Sequence, residues 1–146
     1  MAEIGQVWRD ATYYTEPETG EQLAKYLLVL GFSKSKDIIY KLLTSRVDHR
    51  PTQPVCSHGE PRPGFYMGIP QTGGALFKET WLDLRESDDY DHYDFTDLVE
   101  RGTLTYVYQI PSNQLCELLE CAANAPDTMR SQRDGMMNSR AELNCS

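Results

Sequence analysis

The stretch KYLLVLG, residues 25–31, decides the fold. It is a continuous apolar run bounded by polar segments, too short for a stable helix and rich in Val, Leu and Tyr, so it predicts a buried strand. Downstream, FSKSK (32–36) predicts a turn and DIIYKLLTS (37–45) a second strand, antiparallel to the first. The Thr-Ser ending and the short connection favour that strand, although Ile38, Ile39, Leu42 and Leu43 also fit helical spacing. Upstream, GQVW (5–8) predicts a first strand and TEPETGE (15–21) a wet turn punctuated by Pro17 and Gly20.

Past this hairpin, residues 47–63 read as a loop carrying Pro51, Pro54, Pro61 and Pro63, and a loop of that length in a compact domain is usually functional or mobile. GFYMGI (64–69), KETWLDL (78–84) and TLTYVYQI (103–110) predict three more strands. FTDLVER (95–101) predicts a short helix capped by Asp94 or Thr96 and ended by Gly102. Ser112 is a fair N-cap for a better helix, with Leu115, Leu118, Leu119 and Ala122 on one face, running to about Ala125. Beyond Asp127 the chain predicts either a weak helix broken by Gly135 or a disordered segment. The expected architecture is mainly β with a C-terminal helix. Residues 1–126 form a single domain, a small SH3-like barrel or strongly curved sheet, and residues 127–146 form a tail.

A chain of 146 residues suits one domain whose core needs no disulfides. The longest apolar run, residues 26–30, falls far short of the ~20 residues that span a bilayer. The N-terminus has no basic flank followed by an apolar stretch, so no signal peptide is visible and a cytoplasmic protein with no membrane partner is expected. Cys56, Cys116, Cys121 and Cys145 are then expected to be free, structural thiols. The formal net charge of −8 lowers the prior for nucleic-acid binding, which is driven by Lys and Arg. The acid is unevenly spread, however. Residues 86–97, ESDDYDHYDFTD, carry six acids. Lys34, Lys36, Lys41, Arg46, Arg50 and Arg62 gather in the first half, and residues 34–62 are the locally basic stretch that an anionic polymer would meet.

In this order, GQVW, KYLLVLG, Thr44-Ser45-Arg46, KETWLDL, RGTLT (101–105) and the helix after Pro111 resemble the PemK/MazF family of small toxin endoribonucleases, over roughly residues 5–124. The resemblance implies metal-independent cleavage of single-stranded RNA, an antitoxin protein as partner, a homodimer, and no cofactor. It also implies that Thr44 and Ser45 contact the scissile phosphate or a neighbouring base. The Arg-Pro that the family places before its Leu-Val-Leu strand is Lys25-Tyr26 here; Lys25 keeps the positive charge without the bidentate fork of Arg.

The residues themselves add candidates. Arg46 directly follows Thr44-Ser45 and is placed to hold a phosphate. Asp83 and Arg85 lie two apart and project from one face of a strand. A carboxylate and a guanidinium side by side suit proton abstraction from a 2′-OH and stabilisation of charge on phosphorus. An exposed ion pair of little consequence is the plain alternative. The candidate catalytic set is therefore Thr44, Ser45, Arg46, Asp83 and Arg85. Lys25, Arg50, His58, Phe65 and Tyr66 are candidates for RNA binding, His58 also as a base near neutral pH and Phe65-Tyr66 as stacking rings, like Tyr13-Tyr14. Trp8 and Trp81 are expected in the core, and His92 in solvent. Cys56-x-His58 offers two zinc ligands without a second close pair to complete a site, so no metal is expected. The alternative to a ribonuclease is a catalytically inactive barrel that binds a protein through its acidic, aromatic run at residues 86–97.

Overall fold

The computed structural model describes residues 2–46 and 50–146. Among the described residues seven strands form one antiparallel sheet: β1 (Gln6–Thr15), β2 (Gln22–Phe32), β3 (Ile38–Thr44), β4 (Cys56–Ser57), β5 (Gly64–Gly68), β6 (Thr80–Asp83) and β7 (Leu104–Gln109). Their spatial order is β4-β5-β6-β3-β2-β1-β7. The fold is mainly β with a C-terminal helix, as expected; of the two expected forms, an SH3-like barrel or a strongly curved sheet, the sheet is open, with β4 and β7 as its edges. Register shifts interrupt the β1–β2, β1–β7, β2–β3 and β5–β6 pairings, and such bulges bend and twist a sheet.

Among the described residues three helices cover the sheet: α1 (His92–Glu100), α2 (Ser112–Ala123) and α3 (Arg130–Glu142). The continuous apolar run of β2 has its cause here. A strand buried on both faces needs no polar alternation. Leu28 and Leu30 point, with Val7, Ile39 and Leu43, into a core shared with Leu115, Leu118, Leu119 and Ala122 of α2 and Met136 of α3. Leu27 and Val29 point the other way, with Trp8, Ile38 and Tyr40, onto Phe95 of α1. Both tryptophans are buried as expected.

The segment at residues 37–45 is the expected strand, pairing Leu42 with Leu27 and Leu43 with Tyr26. Helix α1 starts earlier than its sequence suggested. Asp91 is its N-cap, and its carboxylate accepts from the backbone N–H groups of Tyr93 (2.9 Å) and Asp94 (3.0 Å). The tail is no loose end. Helix α3 runs unbroken through Gly135, against β2 and α2. Ser139 donates to the Leu30 carbonyl at 2.7 Å, and Gly31 and Gly135 face each other where helix and strand meet.

The cysteines overturn the expectation of free thiols. Cys56 of β4 is bonded to Cys121 of α2, and Cys116 of α2 to Cys145 beyond α3. The expectation rested on an assumed reducing compartment, whereas the fold brings residues 65 and 29 positions apart into bonding pairs. Among the described residues no helix is long and apolar enough to cross a membrane.

Candidate functional site

The two sheet faces differ in cover. Pairing of Thr44 with Trp81, Tyr66 with Trp81 and Gly64 with Asp83 places Thr44, Trp81, Tyr66 and Asp83 on one face. Lys25 joins them, because Tyr26 pairs with Leu43. This is the face that α1 covers over β1, β2 and β3. Further along, the loop after residue 50 seals Trp81, whose indole N–H donates to the Pro51 carbonyl at 2.9 Å. One hollow opens between those covers, and a second adjoins it where residues of both faces meet at the strand ends.

The first hollow, about 230 Å³, is lined by Lys25, Leu42, Leu43, Thr44, Arg46, Arg50, Arg62, Asp83 and Arg85. Five cations and one carboxylate thus surround Thr44. The second, about 300 Å³, shares Lys25, Leu43, Thr44 and Arg46 with it and adds Ser45, Phe77 and Lys78. Asp10 is paired with Lys25 across β1 and β2, but its carboxylate accepts from the Tyr90 hydroxyl at 2.9 Å and the Thr12 N–H at 3.1 Å.

Asp83 and Arg85 meet as expected. The Arg85 Nε lies 3.0 and 3.1 Å from the two Asp83 oxygens, Nη2 lies 2.6 Å from Oδ2, and the Arg85 N–H donates to Oδ1 at 3.0 Å. Burial pushes the Asp83 carboxyl up, but these bonds and the charges of Arg85 and Arg50 outweigh it and hold the group below its ordinary range. Arg85 is shifted upward by the same pair. Thr44 Oγ1 accepts from the Arg46 N–H at 3.2 Å, which leaves the hydroxyl proton free to donate.

Beneath the site, on the opposite face of β3, Lys41 is buried and donates to the Arg85 carbonyl at 2.8 Å. Burial lowers its pKa, while Asp83, Asp127, Glu86 and Asp89 act the other way. Lys41 is thus a support and no part of the basic surface. Lys34 and Lys36 sit in the β2–β3 turn, at the far end of the hairpin from Lys25 and Thr44.

The structure therefore gathers Lys25, Thr44, Ser45, Arg46, Arg50, Asp83 and Arg85 around the paired hollows. It does not bring in the rest. Phe65 is 2 % exposed and packs in the core with Leu82, so its ring has no face for a base, which corrects its place among the stacking candidates. Tyr66 lies on the same sheet face, leaning on Trp81 and donating to Glu79 at 2.8 Å. His58 lies against α2, outside both hollows. His49 lies outside the described residues. Sequence reasoning missed Phe77, a residue 57 % exposed that lines the second hollow with the Lys78 ammonium 5.5 Å from its ring centroid, and it placed Arg62 in the basic stretch without a role. An aromatic beside a lysine in a Gly-rich loop was the available signal.

The acidic run is divided: Glu86, Asp88, Asp91, Asp94 and Asp97 are exposed, while other members of the run are engaged inside the molecule. Tyr90 bridges to Ile38, Asp89 accepts from Gln132, and Phe95 is core. His92, expected in solvent, is half-buried and bonded to Asp37 at 2.9 Å, which holds the Asp37 carboxyl below its ordinary range. Comparison with known proteins finds no match: no family model, no curated protein and no solved structure aligns with this chain.

Proposed function

We propose that this protein binds single-stranded RNA across the two hollows and cleaves it without a metal. The convergence of Lys25, Arg46, Arg50, Arg62 and Arg85 around Thr44, in a chain of net charge −8, carries the proposal. Cations set in one concave place against an otherwise acidic molecule neutralise phosphates and release their counterions. The exposed Phe77 favours unpaired bases, because stacking needs an open ring face.

The chemistry follows from the Asp83–Arg85 pair. In the free protein each satisfies the other. A phosphate drawing the Arg85 guanidinium toward itself weakens the interactions that hold the Asp83 pKa down, so its carboxylate becomes a better base as the substrate seats. Asp83 then takes the proton of the 2′-OH, that oxygen attacks phosphorus as the P–O5′ bond breaks to leave a 2′,3′-cyclic phosphate, the departing 5′-oxygen takes up the proton that Asp83 accepted, relayed through solvent, and Arg85 with the Thr44 hydroxyl stabilises the charge that develops. The role of a toxin, an antitoxin partner, a homodimer and a barrel-type kinship belong to the same proposal and are supported by the PemK/MazF resemblance alone. The reading as an acidic protein-binding module keeps the exposed Glu86, Asp88, Asp91, Asp94 and Asp97, but Tyr90, Asp89, His92 and Phe95 of the run already have partners within the chain.

Titrating a fluorescent single-stranded RNA at rising salt tests the proposal. A log–log slope reflecting several phosphate contacts is expected, at ~0.7 per phosphate for single strands. A flat dependence, or no binding at low salt, removes RNA as the ligand.

A further inference from the structure

A second cluster of chemically active side chains lies apart from the basic hollows and shares no lining residue with the 230 Å³ one. Cys56 and His58 are two apart at the β4 edge strand, a spacing that turns both side chains to one side. That side faces α2, where Cys121 projects. The His58 Nε2 lies 3.3 Å from the Cys56 sulfur, 3.6 Å from the Cys121 sulfur and 2.9 Å from the Cys121 carbonyl oxygen. All three ligating atoms fall within 4.8 Å of one another. A disulfide needs no imidazole beside its sulfurs. His92, the other described histidine, pairs with a carboxylate instead.

We infer that reduction of the Cys56–Cys121 bond turns this cluster into a zinc site with Cys56, His58 and Cys121 as ligands. Two thiolates and one imidazole are a ligand set that zinc accepts in tetrahedral geometry, with Zn–S of about 2.3 Å and Zn–N of about 2.0–2.1 Å. The fourth position faces a cavity of about 280 Å³ that Glu117, Glu120 and Asn124 also line. Glu117 precedes Cys121 by four residues and so shares its face of α2. Cys56 belongs to a two-residue strand at the sheet edge, where the sulfurs can part without disturbing a central strand. To ligate, the Nε2 must leave the Cys121 carbonyl and carry its proton on Nδ1 instead.

The step balances with a thiol reductant. Two electrons and two protons from two thiols cleave the S–S bond and leave two cysteine thiols, while the reductant becomes a disulfide. Zn²⁺ then displaces the two thiol protons and forms two Zn–S bonds. An oxidant takes back two electrons, closes the disulfide and expels the metal. Because metal binding requires deprotonated thiols, affinity falls as pH is lowered.

The test uses the full chain. Oxidised and phosphine-reduced protein are each titrated anaerobically with Co²⁺ and then Zn²⁺, reading the visible bands of tetrahedral cobalt and the bound metal per chain. The expected result is one equivalent in the reduced protein and none in the oxidised one, with zinc released to a chromophoric indicator when a dithiol oxidant is added. His58→Ala should weaken binding by more than the ~10–100-fold that loss of an outer-shell partner costs. Cys116→Ser/Cys145→Ser, which removes only the other pair, should keep it. Reduced wild-type protein that takes up no stoichiometric metal overturns the inference, as does cobalt binding that survives unchanged in Cys121→Ser.

Discussion

The Lys41 ammonium lies 2.8 Å from the carbonyl oxygen of Arg85, reaching from the buried face of β3 to the main chain whose side chain lines the basic hollow. A charged donor on a carbonyl contributes ~1.5–3 kcal/mol net, but burying the ammonium costs part of that. Lys41→Met is therefore expected to lower stability by only about 1 kcal/mol while loosening Arg85. Thermal unfolding and RNA titration of the same variant check this. A weakened affinity with a melting temperature lowered by only a few degrees is the predicted pattern, and an unchanged affinity would show that Arg85 is held by Asp83 alone.

Arg46 and Phe77 should separate charge from stacking. Arg46→Ala removes one phosphate contact and should lower the salt slope by ~0.7. Phe77→Ala should weaken binding by ~1–3 kcal/mol with the slope unaltered. Equal slopes in the two variants would place Arg46 outside the interface.

The Asp83–Arg85 pair fixes a pH dependence. The folded Asp83 pKa lies below the unfolded carboxylate value of about 3.9. Its contribution to stability is thus fully present above about pH 4 and is lost as pH falls through the lowered folded value. Asp83→Asn should remove that part of the acid transition, so the gap in stability between wild type and variant should narrow on acidification. A gap constant from neutral pH to pH 3 would refute the coupling.

Gly31 lies where α3 presses on β2. A Cβ there would come 2.8 Å from the Gly135 carbonyl oxygen and 2.8 Å from the Ser139 Oγ, and the former is backbone that cannot swing aside. Gly31→Ala should cost ~1–3 kcal/mol by overpacking, read as a lowered midpoint in urea. Gly135→Ala is the informative companion, because alanine gains ~1 kcal/mol of helix propensity and loses it against Ile39 and the Phe32 carbonyl.

The Cys116–Cys145 bond joins α2 to the chain end across 29 residues. Loop-closure arithmetic gives ~3–4 kcal/mol for a loop of that size. Cys145→Ser should lose that much and expose α3 to protease first, since the Arg140 guanidinium, which bonds the Cys116 and Ser146 carbonyls, is tied to the same corner. Proteolysis that begins elsewhere would separate the bond from the docking of α3.

Local pattern carried the central strands and the last two sheet-forming segments. The buried run at residues 25–31, the Thr-Ser ending of β3 and the alternation at residues 103–110 each speak through neighbouring residues. What failed did so through long-range contact. Gly135 looks like a helix breaker until Gly31 is found opposite it. Phe65 and Tyr66 are adjacent in sequence and differ only in which sheet face they take. Lys41 belongs to a basic stretch by position and to the core by register. The disulfides join segments that share no local signal, and Cys121 completes the Cys56–His58 pair from 63 residues beyond the histidine. In the candidate site, Thr44, Arg46, Asp83 and Arg85 were legible because two short motifs carry them. Arg62 and Phe77 reach the hollows only through folding of their loops.

The most direct test of the central claim incubates the oxidised full chain with a long single-stranded RNA in EDTA, beside Arg85→Ala. Cleavage by the wild type that is lost in the variant is the predicted result. Absence of cleavage by the wild type at any salt, or equal cleavage by both proteins, contradicts a metal-free ribonuclease centred on Asp83 and Arg85.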